Sequence, residues 1–519
     1  MIEQTIRPFR LLALGVLLGA SLWVPHAQAE PVSRSQLDAA LPGLRSMAEA
    51  AVAAGQVPGL AIVVVHEGEV VFLEGFGKRA MDRPEAVDAD TVFQLASMSK
   101  PISSTVVAAL VSDGVVDWDS RISDLAPQYQ LHDAYPTAEV TVRDLFNHRS
   151  GLPGDAGNEI EDLGFDRETV MHRLRLVPPW VSFRGGYSYS NAGITMGALA
   201  AVAPTGKAWE DVAQEKLFGP LGMKTASYRH DDFAARSNRA ALHVPVDGKW
   251  VAKLTRDADV QAPAGGASAS ARDLAAWLRL ELGKGAFDGN KLIAPEALEA
   301  THQPLMARGP NPVTGAPEFY GLGWNVEYGR HGLTWGHAGA FSVGGRTLVT
   351  LWPESNLGIT ILANAFPTGV PEGISDNFAD LVFDGQSSRD YIAPWNAAYE
   401  GLFGPAIAAM QAAFGAPPSD ATAALPNSAY VGTYSNAYIG EAEIVAEGEG
   451  LTVLLGPDKQ VRYPLTHFDR DTFLYYPAAE MPDFPLPATF RIGPDGRASE
   501  VVLESLNGSG MGTLARQPE

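Results

Sequence analysis

The 519-residue sequence contains no cysteine. Its fold therefore forms without disulfides and relies on its core, and no lipid-modified cysteine can tether it to a membrane. The same absence excludes every mechanism that uses a cysteine nucleophile.

Basic side chains are scarce relative to acidic ones. There are 38 Lys and Arg against 60 Asp and Glu, which gives a formal net charge of -22 and a pI near 4.9. Nucleic acids and anionic lipids are bound by clustered Lys and Arg, so this composition predicts neither as a partner. We interpret the negative charge as a contribution to solubility.

Recognisable metal and cofactor motifs are missing as well. The histidines are scattered, no H-E-x-x-H is present, and the stretch His230–Asp232 is more typical of a solvated loop than of a metal site. The sequence therefore predicts a protein that works without a metal or cofactor.

One long apolar run is present, Leu11–Val24, close to the N-terminus. It follows Arg7 and Arg10 and precedes Ala27–Ala29, the pattern of a Sec-type signal peptide cleaved after Ala29. A membrane anchor is the alternative, but the run is shorter than the roughly 20 residues that a spanning helix needs. We therefore expect a periplasmic or secreted protein with no membrane span after cleavage.

Beyond the signal peptide, residues 1–29, the patterns divide the chain into further regions. Predicted strands at Leu60–His66 and Val70–Phe76, and again from Gly321–Tyr328 to Gly358–Asn364, enclose a mainly helical stretch at Thr141–Leu282. This arrangement predicts an α+β domain at 30–405, in which distant strands share one antiparallel sheet and helices pack beside it.

The C-terminal part has a different composition. Residues 406–427 are rich in Ala, Pro and Ser and predict a helix end and a linker. Residues 428–519 contain short β-prone runs such as Gly450–Leu455, Thr472–Tyr476 and Ser499–Leu503, which predict a small all-β barrel or sandwich.

The segment Ser97-Met98-Ser99-Lys100 forms an S-x-x-K motif. A serine hydroxyl needs a base within hydrogen-bond reach, and a lysine three residues further along a helix lies on the same face. Pro101 is tolerated in a first helical turn, which predicts that Ser97 lies at the helix N-terminus, where the dipole favours an alkoxide and a neutral amine. The spacing therefore predicts Ser97 as a nucleophile and Lys100 as its base.

Two more motifs follow in order. Tyr189-Ser190-Asn191 forms Y-x-N on a loop, and His337-Ala338-Gly339 forms H-x-G on a predicted strand. Each is weak alone, but the three in this order indicate one site. Together they make the chain resemble the serine β-lactamase and penicillin-binding-protein superfamily, and most closely its class C-like branch, which also holds esterases, D-aminopeptidases and D,D-peptidases.

The resemblance covers about Gln36–Asp384. It implies an α+β fold in which a three-layer arrangement of antiparallel sheet and flanking helices borders an all-helical subdomain, with the active site between them. It also implies that Ser97 is acylated, that Lys100 is its base, and that Tyr189 carries protons to the leaving group and from the deacylating water.

The same resemblance implies the binding groups. Asn191 would hold a substrate amide or carbonyl, and His337 and Gly339 would line the substrate site. The oxyanion hole would consist of the backbone N–H groups of Ser97 and Ala340. By contrast, we interpret His148 and Ser150 as residues that brace a loop.

One departure from the resemblance concerns substrate choice. β-Lactamases and transpeptidases usually carry K-[ST]-G where this chain has His337-Ala338-Gly339. A permanent cation and a hydroxyl that help to hold a substrate carboxylate are lost, and we expect the imidazole in their place to titrate near physiological pH. This departure favours ester or peptide hydrolysis over β-lactam turnover.

The run Tyr430-Val431-Gly432-Thr433-Tyr434 is similar to a small lipocalin-like β-domain appended to some of these hydrolases. Such a domain could cover the cleft, select substrate size, mediate oligomers or be purely structural, and the sequence leaves these roles open.

These observations predict an exported serine hydrolase that cleaves amide or peptide bonds of a small or unusual peptide through an acyl-enzyme. A carboxylesterase is the main alternative, and a weak β-lactamase or D,D-peptidase is another. A non-catalytic protein that binds cell-wall fragments or a protein partner is the alternative from a different class. The joint presence of Ser97, Lys100 and Tyr189 argues against it, and the expected partner is a small-molecule or short-peptide substrate.

Overall fold

The structure, a computed structural model, describes residues 32–366, 368–477 and 485–518. The predicted signal peptide lies outside these residues. Within them, no helix combines the length and the apolar character needed to cross a membrane.

An eight-stranded antiparallel sheet is the centre of the larger domain, and it confirms that strands from both ends of the domain share one sheet. Glu67 and Gly68, both with positive φ, form the predicted turn between the first two strands. In spatial order the strands are Glu69–Gly77, Gly59–His66, Leu357–Ala363, Gly345–Trp352, Gly332–Phe341, Asn325–Gly329, Pro317–Tyr320 and Met306–Pro310.

Helices cover both faces of this sheet. The strand Gly59–His66 is buried along its whole length because Leu60, Ile62 and Val64 face one helical layer while Ala61, Val63 and Val65 face the other. The helices are Arg34–Ala53, Ser99–Ser112, Ile122–Leu125, Ala134–Glu139, Val142–Phe146, Asn158–Glu161, Arg167–Arg173, Asn191–Val202, Trp209–Ala213, His230–Ala234, Ala271–Leu282, Pro295–Glu299, Val370–Asp384 and Ile392–Phe414. The first and the Val370–Asp384 helices form one outer layer, and the helical subdomain lies on the other side.

The predicted strand Gly321–Tyr328 is wrong in its first half. The chain turns at Gly321–Trp324, between the strands Pro317–Tyr320 and Asn325–Gly329. Gly323 has φ +80°, and a Cβ there would lie 2.8 Å from the backbone oxygen of Lys100. This turn therefore needs glycine because it packs directly on the helix that carries Lys100.

The C-terminal domain is a closed eight-stranded barrel, which decides between the two predicted architectures. Its first and last strands pair through Tyr434 and Ser435 with Arg516 and Ala515. The predicted helix end and linker at 406–427 begins inside the helix Ile392–Phe414. Its first residues therefore form the last turns of that helix, and the connection to the barrel follows them. The barrel strands are Gly432–Asn436, Gly440–Glu447, Gly450–Leu455, Val461–Asp469, Thr472–Tyr475, Leu486–Ile492, Ala498–Leu503 and Thr513–Arg516.

Asp144 joins two neighbouring loops, one that carries Arg149 and one that carries Arg184. Its carboxylate has no exposed surface and accepts hydrogen bonds from Arg149 Nε at 2.6 Å and Arg184 Nη2 at 2.7 Å. The Arg184 N–H donates to the Arg149 carbonyl and the Ser188 N–H to the His148 carbonyl, each at 2.8 Å. Burial alone would raise the pKa of Asp144, but the two arginines outweigh it and lower that pKa. The ionised carboxylate thus holds the loops in register.

We expect Asp144→Asn to lower the free energy of unfolding of the larger domain by about 3 kcal/mol, because it leaves two partly buried guanidinium groups without their counter-charge. The matched control is Asp119→Asn, since Asp119 also accepts two hydrogen bonds from an arginine but is 64% exposed. Its effect should stay below about 1 kcal/mol. Urea unfolding followed by tryptophan fluorescence measures both, and equal effects would contradict this role for Asp144.

The pH dependence has a definite sign. A carboxylate whose pKa is lowered in the folded state stabilises the protein fully above its unfolded pKa of about 3.9, and this contribution is lost as the pH falls through the lower folded pKa. The difference between the wild type and Asp144→Asn should therefore shrink below about pH 4.

Candidate active site

Ser97 lies in a tight turn between the strand Val92–Gln94 and the helix Ser99–Ser112. Ala96 immediately before it has φ +48°, a conformation that costs an L-residue about 1 kcal/mol. Ser99 Oγ stabilises the turn by donating to the Ala96 carbonyl at 2.6 Å. The residues on either side of Ser97 are buried while Ser97 is partly exposed, so the turn presents its hydroxyl outward at the start of the helix.

Lys100 is fully buried in the first turn of that helix. Its Nζ lies 2.9 Å from Ser97 Oγ, 2.7 Å from Asn191 Oδ1 and 2.9 Å from the Ala264 carbonyl oxygen. Burial lowers the pKa of Lys100 well below its usual range. A neutral amine has two N–H groups, which match the two oxygens that can only accept, and its lone pair is left for the Ser97 hydroxyl. Lys100 is therefore placed to take the proton of Ser97.

Tyr189 reaches Ser97 from another side. Its Oη donates to Ser97 Oγ at 2.9 Å, and its ring centroid lies 4.6 Å from Lys100 Nζ. Burial raises the pKa of Tyr189 to about 12, although the contact with Ser97 and the charge of Arg308 act in the opposite direction. The phenol therefore carries its proton at neutral pH and can act as an acid.

Asn191 is the first residue of the helix Asn191–Val202, which Ser190 caps by accepting the Gly193 N–H at 3.1 Å. This cap directs the Asn191 side chain at Lys100. The structure thus brings together Ser97, Lys100, Tyr189 and Asn191. In it, Asn191 forms a hydrogen bond with the base Lys100. Its predicted contact with substrate stays a prediction.

The strand Gly332–Phe341 passes against the turn that carries Ser97. A Cβ on Gly339 would lie 2.1 Å from the Leu95 carbonyl oxygen and 2.9 Å from the Met98 nitrogen. Only glycine permits this approach, which brings the neighbouring Ala340 to the nucleophile turn. The oxyanion hole at Ser97 and Ala340 stays a prediction.

His337 is neutral, contrary to the expectation that it titrates near physiological pH. Its Nδ1 lies 2.7 Å from the Ala338 carbonyl, which can only accept, so Nδ1 carries the proton and Nε2 accepts from Tyr320 Oη at 3.0 Å. Burial lowers the pKa of His337 well below its usual range. Both ring nitrogens are therefore occupied by protein groups, and His337 supports the Tyr320 side chain.

His148 braces the loop that carries Tyr189, in agreement with its interpretation as a loop residue. It has φ +59°, its Nδ1 accepts the Ser190 N–H at 3.1 Å, and its ring lies 4.5 Å from that of Tyr189 and 4.7 Å from that of Tyr320. Tyr320 was not identified as a site residue from the sequence.

Arg308 is a second residue that the motifs did not indicate. It is the extra residue of a β-bulge in the edge strand Met306–Pro310, and its guanidinium carbon lies 5.4 Å from the ring centre of Tyr187 and 5.9 Å from that of Tyr320. Nη1 donates to Glu318 at 3.0 Å. The bulge thus places the Arg308 cation at the rim of the site, although this chain lacks the lysine of the K-[ST]-G motif.

Among the described residues, His331, Asp380 and Asp384 form the group close enough to hold a metal ion. Both acidic residues belong to the helix Val370–Asp384, on the sheet face opposite the one that packs the Ser97 helix. Asp384 already pairs with Arg330 at 2.7 Å, and Asp380 accepts the Ser388 N–H at 2.9 Å. We therefore assign this group to an ion-pair network.

Known proteins share both parts of this architecture. Residues 44–382 match the family described as Beta-lactamase, and residues 416–512 match a domain of unknown function, DUF3471. The chain is 27% identical over 86% of its length to an unguisins hydrolase of Aspergillus campestris, of which it covers 86%. It is 27% identical over 59% of its length to penicillin-binding protein 4 of Amycolatopsis lactamdurans, of which it covers 81%.

Solved structures show the same fold. An octameric penicillin-binding protein homologue from Pyrococcus abyssi superposes with a TM-score of 0.57 and 19% identity, over 89% of this chain and 98% of that chain.

The neutral state of His337 leads to a test. In His337→Lys a cation enters beside Lys100, which disfavours protonation of Lys100, so the acid limb of the pH profile for Ser97 acylation should move to lower pH. His337→Asn exchanges one neutral group for another and should leave that limb in place. Stopped-flow acylation by a fluorophosphonate probe across pH measures both, and an unchanged limb in His337→Lys would remove His337 from the electrostatics of the site.

Proposed function

The chain belongs to the Beta-lactamase family of serine hydrolases, and on this premise we propose that it cleaves amide or peptide bonds of small or unusual peptides through an acyl-enzyme on Ser97. The observation that carries the proposal is the double contact at Ser97 Oγ, which lies 2.9 Å from Lys100 Nζ and 2.9 Å from Tyr189 Oη. Burial lowers the pKa of the amine and raises that of the phenol, so a base and an acid meet at the nucleophile.

Acylation would use the two groups in turn. Ser97 Oγ attacks the substrate carbonyl as its proton passes to Lys100 Nζ, and a C–O bond forms. Tyr189 then gives its proton to the leaving nitrogen, the C–N bond breaks, and the proton on Lys100 returns to Tyr189. The amine leaves with one proton in total, and the acyl group stays on Ser97.

Deacylation would run the same steps with water as the nucleophile. Water attacks the acyl carbon, its proton passes to the Lys100 and Tyr189 pair, and the bond to Ser97 Oγ breaks as Oγ regains a proton. If the N–H groups of Ser97 and Ala340 hold the oxyanion, each would contribute about 3 kcal/mol to transition-state stabilisation.

The protonated state of Tyr189 supports amide over ester substrates. An amine leaves only when its nitrogen is protonated, whereas an alkoxide or phenolate leaves more easily, so an acid 2.9 Å from Oγ matters most for amides. A carboxylesterase remains the alternative, because the same groups also open esters. Arg308 at the rim favours the second alternative, a D,D-peptidase or weak β-lactamase whose substrates carry a carboxylate.

The setting of the enzyme is part of the proposal. The N-terminal pattern at residues 1–29 supports export to the periplasm or medium, and the expected partner is a short peptide or small molecule.

We expect Ser97→Ala to abolish covalent labelling by a fluorophosphonate and to lower turnover of any true substrate by at least about 10³-fold. Intact-mass spectrometry detects the adduct, and the substrate panel comprises D- and L-aminoacyl anilides, D-Ala-D-Ala peptides, p-nitrophenyl esters and nitrocefin. Faster Ser97-dependent turnover of anilides or peptides than of the other substrates would support the peptidase proposal. Turnover of esters alone would identify an esterase, and no Ser97-dependent adduct would contradict an enzyme.

A further inference from the structure

The barrel packs against the segment Gly157–Glu159 of the larger domain, and Asn158 in this segment lies beside Asn191. We propose that Asn158 in this segment is a positioning residue that keeps the Asn191 carbonyl oxygen directed at Lys100, and that the barrel holds Asn158 in place. The inference rests on the proposed function because it concerns the same base.

The barrel binds the residues on both sides of Asn158. The Gly157 N–H donates to Tyr438 Oη at 2.8 Å, and the Glu159 carboxylate accepts from the Ser509 N–H at 2.8 Å and from Ser509 Oγ at 2.5 Å. Tyr438 and Ser509 belong to loops of the barrel domain and are buried in this contact. The backbone on either side of Asn158 is therefore held in place by the barrel domain.

The Asn158 side chain is oriented by its own partners. Its Nδ2 donates to the Gly154 carbonyl at 3.3 Å, and its Oδ1 accepts from Gln261 Nε2 at 2.8 Å. A carbonyl oxygen can only accept and an amide nitrogen can only donate, so the amide of Asn158 has one orientation. Gln261 is oriented in turn, because the same Nε2 donates to the Glu161 carboxylate at 2.5 Å.

This orientation passes on to the base. Asn158 Oδ1 faces Asn191 Nδ2 at 3.5 Å, a long contact, and Asn191 Oδ1 accepts from Lys100 Nζ at 2.7 Å. If the Asn191 amide rotated, it would present N–H groups to Lys100 and repel the ammonium that forms when Lys100 takes the Ser97 proton. Asn158 thus favours the rotamer in which the base has an acceptor.

The sign of the effect on Lys100 follows. Loss of the acceptor disfavours the ammonium, so the pKa of Lys100 falls further and Lys100 becomes a weaker base. The other titratable or charged groups near Lys100 are Tyr189, His148, His337 and, further out, Arg308. None of these groups is substituted in the variants below. A shift in the pH dependence of acylation would therefore come from the amide groups of Asn158 and Asn191.

The test uses the full-length protein and the rate of Ser97 acylation by a fluorophosphonate across pH. In Asn158→Leu, which has a similar size but no acceptor, we expect the plateau rate to fall about 10-fold and the acid limb to move to lower pH. In Asn158→Asp an acceptor is retained and a negative charge is added, so the limb should move to higher pH. Opposite shifts are not expected from a loss of folding.

The role of the barrel is tested by Tyr438→Phe combined with Ser509→Ala, which removes the hydroxyl contacts to Gly157 and Glu159 and leaves the Ser509 N–H contact to Glu159 in place. We expect a shift in the same direction as in Asn158→Leu. The matched control is Tyr434→Phe, because Tyr434 is also a buried barrel tyrosine but its Oη donates to the Tyr430 carbonyl at 2.6 Å within the barrel. It should leave acylation unchanged.

The outcomes separate the claims. An acid limb that stays in place in both Asn158 variants, with Ser97 still labelled, would overturn the positioning role while the proposed function stands. If the barrel double variant and Tyr434→Phe changed Ser97 acylation equally, the claim that the barrel holds Asn158 in place would be overturned. A wild-type protein that is not labelled at Ser97 would overturn the proposed function itself, and the inference with it.

Discussion

The burial of Lys100 is the constraint on which the rest of the site depends. The helix Ser99–Ser112 is buried from Ser99 to Leu110, and the lysine has no exposed surface. An ammonium without a counter-charge at such a position costs several kcal/mol, so the fold favours the neutral amine. A neutral lysine beside Ser97 is a base, whereas a charged one could only donate.

Close backbone approaches create that burial. Gly323 lets the turn between two strands pack on the Lys100 carbonyl, and Gly339 lets a third strand pack on the nucleophile turn. Asp144 holds together the loops that bring Tyr189 over the amine. The polar groups that reach Ser97 or its base come from distant parts of the chain, namely Tyr189, Asn191 and the Ala264 carbonyl.

Local spacing was sufficient to predict part of this arrangement. Ser97 and Lys100 are three residues apart, so the spacing predicted their contact, and Pro101 indicated that the helix begins close to Ser97. The sheet shared by distant strands was also predicted, because strand patterns lie on both sides of a mainly helical stretch. The resemblance predicted that Tyr189 and Asn191 belong to the same site.

Features that depend on contacts between distant residues could not be predicted. Burial lowers the pKa of His337, which contacts Tyr320 from another strand, and the position of Arg308 depends on a bulge. Closure of the barrel depends on pairing between its first and last strands, which no short pattern encodes. Asn158 was missed because its contacts to Asn191 and Gln261 join separate loops and because Ser509 acts on its neighbour from another domain.

The most direct test of the central claim is the protonation state of Lys100. NMR of protein labelled with ¹³Cε-lysine, with the resonance assigned through Lys100→Arg, would follow its titration alongside that of the surface lysines. We expect Lys100 to titrate well below the usual lysine value of 10.5, because burial lowers its pKa and the mechanism needs an amine that can accept a proton. Titration together with the exposed lysines would contradict it, because Lys100 could then not accept the Ser97 proton.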